Sequence, residues 1–190
     1  FFQLDEYTIS HRLFAGGWSE EFTREIFERG DAVVLIPYDP IRDEIVLIEQ
    51  FRSGAMRSQK NPWLLEFVAG MFSDSEKPME VAIREAEEEA GISLEVADLF
   101  QIMQYFSSPG GLTERIHLFA GRVNLSSKLH NNGLVSYGLP EEGEDILVHV
   151  LSRTVALDLL AQGKINNAAT IIGLQWLQNN YHQLQKKDKK

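Results

Sequence analysis

The order of predicted elements points to an α+β domain: a mixed β-sheet sandwiched between helices, with a small N-terminal antiparallel β-subdomain. Three observations carry that expectation. Short β-branched and aromatic runs recur through the first 150 residues, one strong helix interrupts them, and two further helices close the chain. The 190 residues, 44% apolar, suit one compact domain with a small appendage. The expected division is a β-subdomain over 1–29, the main domain over 30–185 and a charged tail over 186–190.

Within 2–29, the runs at 2–4 and 7–9, a Gly16-Gly17 break and the run at 22–27 read as strands joined by a turn. The runs 32–38 and 44–51 flank Asp39-Pro40-Ile41-Arg42-Asp43, the signature of a hairpin with a loop of about five residues. Residues 63–69 predict one strand, ended by Gly70. A helix is predicted over 77–90, because Pro78 suits a first turn, Ala and Glu favour helix, and Gly91 stands where a C′ glycine belongs. Strands follow over 99–106, 115–123 and 146–151, then helices over 154–162 and 166–185.

The formal net charge is −10, from 28 acids and 18 bases. Nucleic acid is excluded as a partner, since phosphate contacts need clustered Lys and Arg. No cysteine is present, so disulfides, thiolate zinc sites and cysteine nucleophiles are excluded. No apolar run approaches the roughly 18 residues of a membrane span and no secretory leader is visible, so the expectation is a cytoplasmic protein without a membrane partner. The chain opens on Phe1 rather than Met, which leaves room for a preceding segment.

The charge is concentrated. Residues 70–92 carry a net of −5 and residues 140–145 hold four acids without a base. On a helical wheel, Glu85, Glu88 and Glu89 share a sector of about 100°. Met79, Ala82, Ile83, Ala86 and Ala90 form the expected buried stripe beside it, while Glu80 and Glu87 face solvent. Like charges at these spacings repel, so something must neutralise them; a hard divalent cation is the candidate, and Arg84 stands at i,i+4 to orient Glu88. A solvated acidic helix is the competing reading.

Gly70, five residues, Glu76, seven residues, then Arg84-Glu85-Ala86-Glu87-Glu88-Glu89-Ala90-Gly91-Ile92 resembles in full the signature of the Nudix hydrolases. The segment 63–70, Ser108-Pro109-Gly110-Gly111, the acidic loop 141–145, Gly163-Lys164-Ile165 and the run 170–177 extend the likeness toward the bacterial ADP-ribose pyrophosphatases. The resemblance implies a Nudix fold with 30–185 as the catalytic domain, and Mg²⁺, with Mn²⁺ as the alternative, as cofactor. It implies Glu85, Glu89 and the Ala69 carbonyl as metal ligands, with Glu88 as a ligand or close neighbour. By the same resemblance Phe1 and Arg24 would hold adenine, Arg52 a phosphate and Glu114 the terminal ribose. A homodimer with exchanged 1–29 subdomains is implied as well.

Pyrophosphate hydrolysis also needs a base. Match to the family's loop nominates Glu142 as that base and Glu144 as a further metal-side carboxylate; an acidic surface loop is the competing reading. His117 and His149 lie in predicted strands and are expected to be packed or hydrogen-bonded. The expected activity is hydrolysis of ADP-ribose to AMP and ribose 5-phosphate. Another nucleoside-diphosphate sugar as substrate, or a catalytically silent ADP-ribose-binding module, are the alternatives.

Overall fold

The computed structural model describes residues 2–57, 61–73, 75–125, 129 and 136–185. The chain begins with a separate antiparallel pair, β1 (Gln3–Ile9) and β2 (Phe22–Glu28). The main sheet follows: β3 (Asp31–Asp39), β4 (Glu44–Phe51), β5 (Trp63–Glu66), β6 (Val68–Phe72), β7 (Leu99–Phe106), β8 (Arg115–Arg122), β9 (Ser136–Tyr137) and β10 (Ile146–Ser152). The helices are α1 (Pro78–Ala90), α2 (Arg153–Ala161) and α3 (Ala168–Gln185). Phe1 and the tail 186–190 lie outside the described residues, as does the Glu142 side chain.

The sheet order is β7-β8-β3-β4-β10-β9, with β3 and β8 parallel and the neighbours antiparallel. Strand β3 is buried along nearly its whole length because both of its faces are covered. Ala32, Val34, Ile36 and Tyr38 point to the cluster completed by Ala156, Leu174 and Leu177 of α2 and α3. Val33 and Leu35 point to the cluster completed by Val81, Ala82 and Ala86 of α1. This is the expected sheet between helical layers.

Strands β3 and β4 pair only at Tyr38↔Ile45 and Asp39↔Glu44, then splay apart. Into the V between them are wedged β6, paired to β3, and β5, paired to β4. The single strand expected over 63–69 is therefore two strands that leave on different partners, divided at Phe67. Gly70 does not end a strand but lies inside β6, opposite Val33. Helix α3 starts at Ala168, two residues later than expected, with the Asn167 side chain accepting the Thr170 N–H at 3.0 Å.

Two clamps fix the strand ends. Asp43, in the left-handed region at φ 54°, accepts Arg153 Nε at 2.7 Å and Nη2 at 2.8 Å, and the Tyr38 hydroxyl at 2.8 Å. Asp31 accepts the Arg115 backbone N–H at 3.0 Å and its guanidinium at 2.7 Å, which locks β3 to β8 where Arg29 and Glu114 emerge.

Candidate active site

Helix α1 starts at Pro78 and is stopped by Gly91 at φ 61°. Its buried face holds Val81, Ala82, Ala86 and Ala90, and also Glu89, only 2% exposed. The expected stripe is thus corrected: Met79 and Ile83 are half-buried, and an acid sits among the apolar side chains. The reason is tertiary. Strand β6 runs beside the helix, and Ala69 N–H donates to Glu89 Oε2 at 2.9 Å. Burial pushes the Glu89 carboxyl up, against that hydrogen bond, and the charges of Glu85 and Glu144 push it further, to about 8.

Glu85 leans over β6. A Cβ at Gly70 would be driven into the Glu85 carboxylate, so any larger residue there would push that carboxylate from its place. Arg84 spans the next two acids: Nη2 lies 2.9 Å from Glu85 Oε1, and Nη1 donates to Glu88 Oε2 at 3.0 Å. The sequence-derived role of Arg84 as the partner orienting Glu88 holds. Glu76 serves the loop before the helix, accepting Ser73 N–H at 3.0 Å and its hydroxyl at 3.1 Å.

Strands β4 and β5 build the facing wall. Arg52 donates through Nε at 3.0 Å and Nη2 at 2.7 Å to Glu66 Oε2. Glu66 is 3% exposed, and its Oε1 is buried with no hydrogen-bond partner among the described residues. Burial disfavours the Arg52 charge, but Glu66, with Glu89 and Glu144, more than restores it, and the pKa is raised. Glu144 Oε1 accepts from Gln50 Nε2 at 3.2 Å, and its Oε2 accepts the Leu139 N–H at 3.0 Å.

The third wall comes from the ends of β7 and β8. Glu114, buried, accepts the Ser107 hydroxyl at 2.5 Å and lies 3.2 Å from Arg29 Nε. Burial, with the Glu114 charge, pushes the Tyr105 hydroxyl to about 12, so it stays neutral. The cleft enclosed by these walls has a volume of about 770 Å³, and the first turn of α3 closes one side.

Ala69, Glu85, Glu89, Glu144, Arg52 and Glu114 therefore line one cleft. Glu88 stands beside it, its side chain on Arg84 and its carbonyl accepting Gly138 N–H at 3.1 Å. Arg24 does not reach the cleft of its own chain; its guanidinium lies 4.6 Å over Phe22 and donates to the Thr23 carbonyl at 2.8 Å. His149 bonds Glu49 at 2.9 Å, and His117 is buried, 3.6 Å from Asp31, as expected of packed histidines.

Sequence reasoning missed Arg29, Gln50, Glu66 and Tyr105. Signals existed for two of the four: Gln50 and Arg52 are two apart in an extended run and share a face, and Glu66 is a lone acid in an apolar run, which demands a partner.

The donor set is all oxygen and strongly anionic, and it includes a buried carboxylate crowded by two like charges. That composition fits a hard divalent cation. Among the described residues no three such groups are already drawn into a ligand set; each is held by protein donors instead.

The NUDIX domain profile matches residues 28–166. The ADP-ribose pyrophosphatase of Haemophilus influenzae is 49% identical over 188 residues, covering 97% of this chain and 83% of that protein. The ADP-ribose pyrophosphatase of Escherichia coli K12 is 48% identical over 184 residues, covering 97% and 85%. The GDP-mannose pyrophosphatase of Cronobacter sakazakii is 35% identical over 157 residues, covering 82% and 77%. A solved ADP compounds hydrolase superposes with a TM-score of 0.67 over 97% of both chains at 17% identity, a likeness of fold alone. With the signature helix, the cleft and these relatives in agreement, the chain belongs to the NUDIX-domain family of hydrolases.

Proposed function

We propose that the chain hydrolyses the pyrophosphate bond of ADP-ribose, giving AMP and ribose 5-phosphate, with Mg²⁺ as the metal and Mn²⁺ as a substitute. The observation that carries this reading is near-half identity over 97% of the chain to ADP-ribose pyrophosphatases, against about a third for the GDP-mannose enzymes. The cleft, at about 770 Å³, matches the size of pockets for ligands of this class.

Divalent metal dependence goes with the family. Glu85, Glu89, Glu144 and the Ala69 carbonyl are the proposed metal ligands, with Glu88 close behind on Arg84. A cation held by these residues would supply positive charge against the phosphoryl oxygens and lower the pKa of a nearby water. Arg52, kept cationic and aimed by Glu66, holds phosphate. Glu114, fixed by Ser107 and Arg29, accepts from the ribose hydroxyls. Glu142 is the proposed general base: it ends the turn Pro140–Glu142, two residues before Glu144.

Phe1 and Arg24 are proposed to hold the adenine of a neighbouring subunit's substrate, within a homodimer that exchanges the 1–29 subdomain and leaves 30–185 as the catalytic domain. No helix among the described residues is long and apolar enough to cross a membrane, and a cytoplasmic enzyme is proposed.

Hydrolysis in ¹⁸O water at fixed Mg²⁺ is the test. ADP-ribose should yield labelled AMP or ribose 5-phosphate with the highest kcat/KM among nucleoside-diphosphate sugars. A higher kcat/KM for GDP-mannose would overturn the substrate, and binding of ADP-ribose without AMP release would overturn the enzyme.

A further inference from the structure

Glu144 sits in a turn that owes its shape to its own carboxylate. Gly138, at φ 92°, brings its Cα so close that a Cβ would stand 2.7 Å from Glu144 Cβ and 3.0 Å from its Oε2. The Leu139 N–H binds that same Oε2 at 3.0 Å, and Glu144 N–H returns to the Leu139 carbonyl at 3.3 Å. The turn is thus closed on itself. Its backbone touches α1 through Gly138 N–H to Glu88 O at 3.1 Å. The other carboxylate oxygen, Oε1, is gripped by a side chain 94 residues away, Gln50 Nε2, at 3.2 Å.

Gln50 is 6% exposed and stands in β4, which is paired on both edges, to β10 and to β5. The orientation of its amide is chemically fixed, because the opposite one would set a carbonyl oxygen against the carboxylate. Its own Oε1 then faces away, buried with no hydrogen-bond partner among the described residues. A buried amide with one half unpaired is a cost to folding. A leucine or methionine at this position would avoid it, which leaves the Glu144 contact as what the glutamine supplies.

We propose that Gln50 is a positioning residue: its amide ties the Glu144 carboxylate to the rigid sheet and sets the acidic turn 138–145 against the carboxylates of α1. This rests on the reading of Glu144 as a metal-side carboxylate. It assigns to the sheet the task of fixing a ligand that sequence places on a loop. Partners behind metal ligands are worth about 10- to 100-fold in affinity.

The test uses Mn²⁺ binding without substrate, together with kcat, KM and the unfolding midpoint. Gln50→Leu should weaken Mn²⁺ binding about tenfold and lower kcat similarly, with KM for ADP-ribose within about twofold. Gln50→Glu, of the same shape but with a like charge facing Glu144, should be worse than Gln50→Leu; a packing role would rank them the other way. In a Glu144→Ala background the Gln50→Leu loss should vanish. Wild-type Mn²⁺ affinity in Gln50→Leu, or an undiminished loss in the Glu144→Ala background, overturns the positioning role. Should Gln50→Leu fail to fold, Gln50→Met carries the same comparison. Unchanged Mn²⁺ affinity in Glu144→Ala alone would instead overturn the reading of Glu144. Absence of AMP release by the wild type would overturn the reaction, while the binding comparison still decides Gln50.

Discussion

Glu89 is a carboxylate held where water is nearly excluded, and Glu85 and Glu144 bring the same charge to it. Its pKa of about 8 against an ordinary 4.5 has a definite sign in the metal-free protein. The folded state holds the proton more tightly than the unfolded chain, so the stability present below pH 4.5 is lost as pH rises through 8. Glu89→Gln keeps an oxygen for the Ala69 N–H and removes the charge. The metal-free variant should therefore melt at least about 3 °C above wild type at pH 8, and the two should converge near pH 4.5. Mg²⁺ should raise the wild-type melting temperature and leave that of Glu89→Gln nearly unchanged, with turnover down by orders of magnitude. A variant less stable than wild type at pH 8 would show that the carboxylate is not strained. The trade of stability for function is then local to one buried oxygen pair.

At the scale of elements, the β3–β4 hairpin is held by its acids rather than by its ladder, since only two residue pairs connect the strands. The Arg153 guanidinium, with the Tyr38 hydroxyl, holds the Asp43 carboxyl below the ordinary range. Burial pushes Asp39 up, but the N–H groups of Arg42, Leu125 and Ile41 and the Arg42 guanidinium outweigh it, and its pKa is lowered too. For lowered carboxylates the contribution is present above the unfolded value and lost as pH falls through the folded one, so wild-type stability should drop below about pH 4. Asp43→Ala should cost about 1–2 kcal/mol at pH 7, because Arg153 stays half-packed on Tyr181 without its partner. Its urea midpoint should also fall less steeply between pH 4 and 3; an equal slope would assign the acid sensitivity elsewhere. Helix α1 was legible in the sequence because its caps, its composition and its carboxylate spacing are local properties. The division of 63–72 into β5 and β6 was not, because it follows from two strands splaying and taking different partners. Glu89 was expected to share a sector with Glu85, and the two do line one cleft, but it was wrongly placed outside the buried stripe. A wheel shows which side chains share a sector, and only the packing of β6 shows which sector is dry.

For the molecule as a whole, the unresolved imbalance is in the N-terminal pair. Strands β1 and β2 meet the main domain chiefly around Phe27, whose N–H donates to the Gly111 carbonyl at 2.9 Å and whose carbonyl accepts Thr113 N–H at 3.3 Å. Farther out, Leu4, Ile9, Leu13, Phe14 and Trp18 are exposed. Apolar area of that extent on a two-stranded sheet asks for a cover. Arg24, meanwhile, lies on that sheet and away from the cleft of its own chain. Both facts are accounted for if the pair packs on a second copy and delivers Arg24 there. The consequence is a complementation that no monomer can show. On the proposed assignments of Arg24 to substrate and Glu85 to metal, Arg24→Ala and Glu85→Gln homodimers should each be nearly inactive. Co-expressed, they form heterodimers in which one site combines an intact core with the partner's intact arm. With random pairing about a quarter of all sites are then complete, so activity should return to about a quarter of wild type. If Arg24 served its own chain, every Glu85-competent core would carry the defective arm, and mixing would give only the average of the two parents.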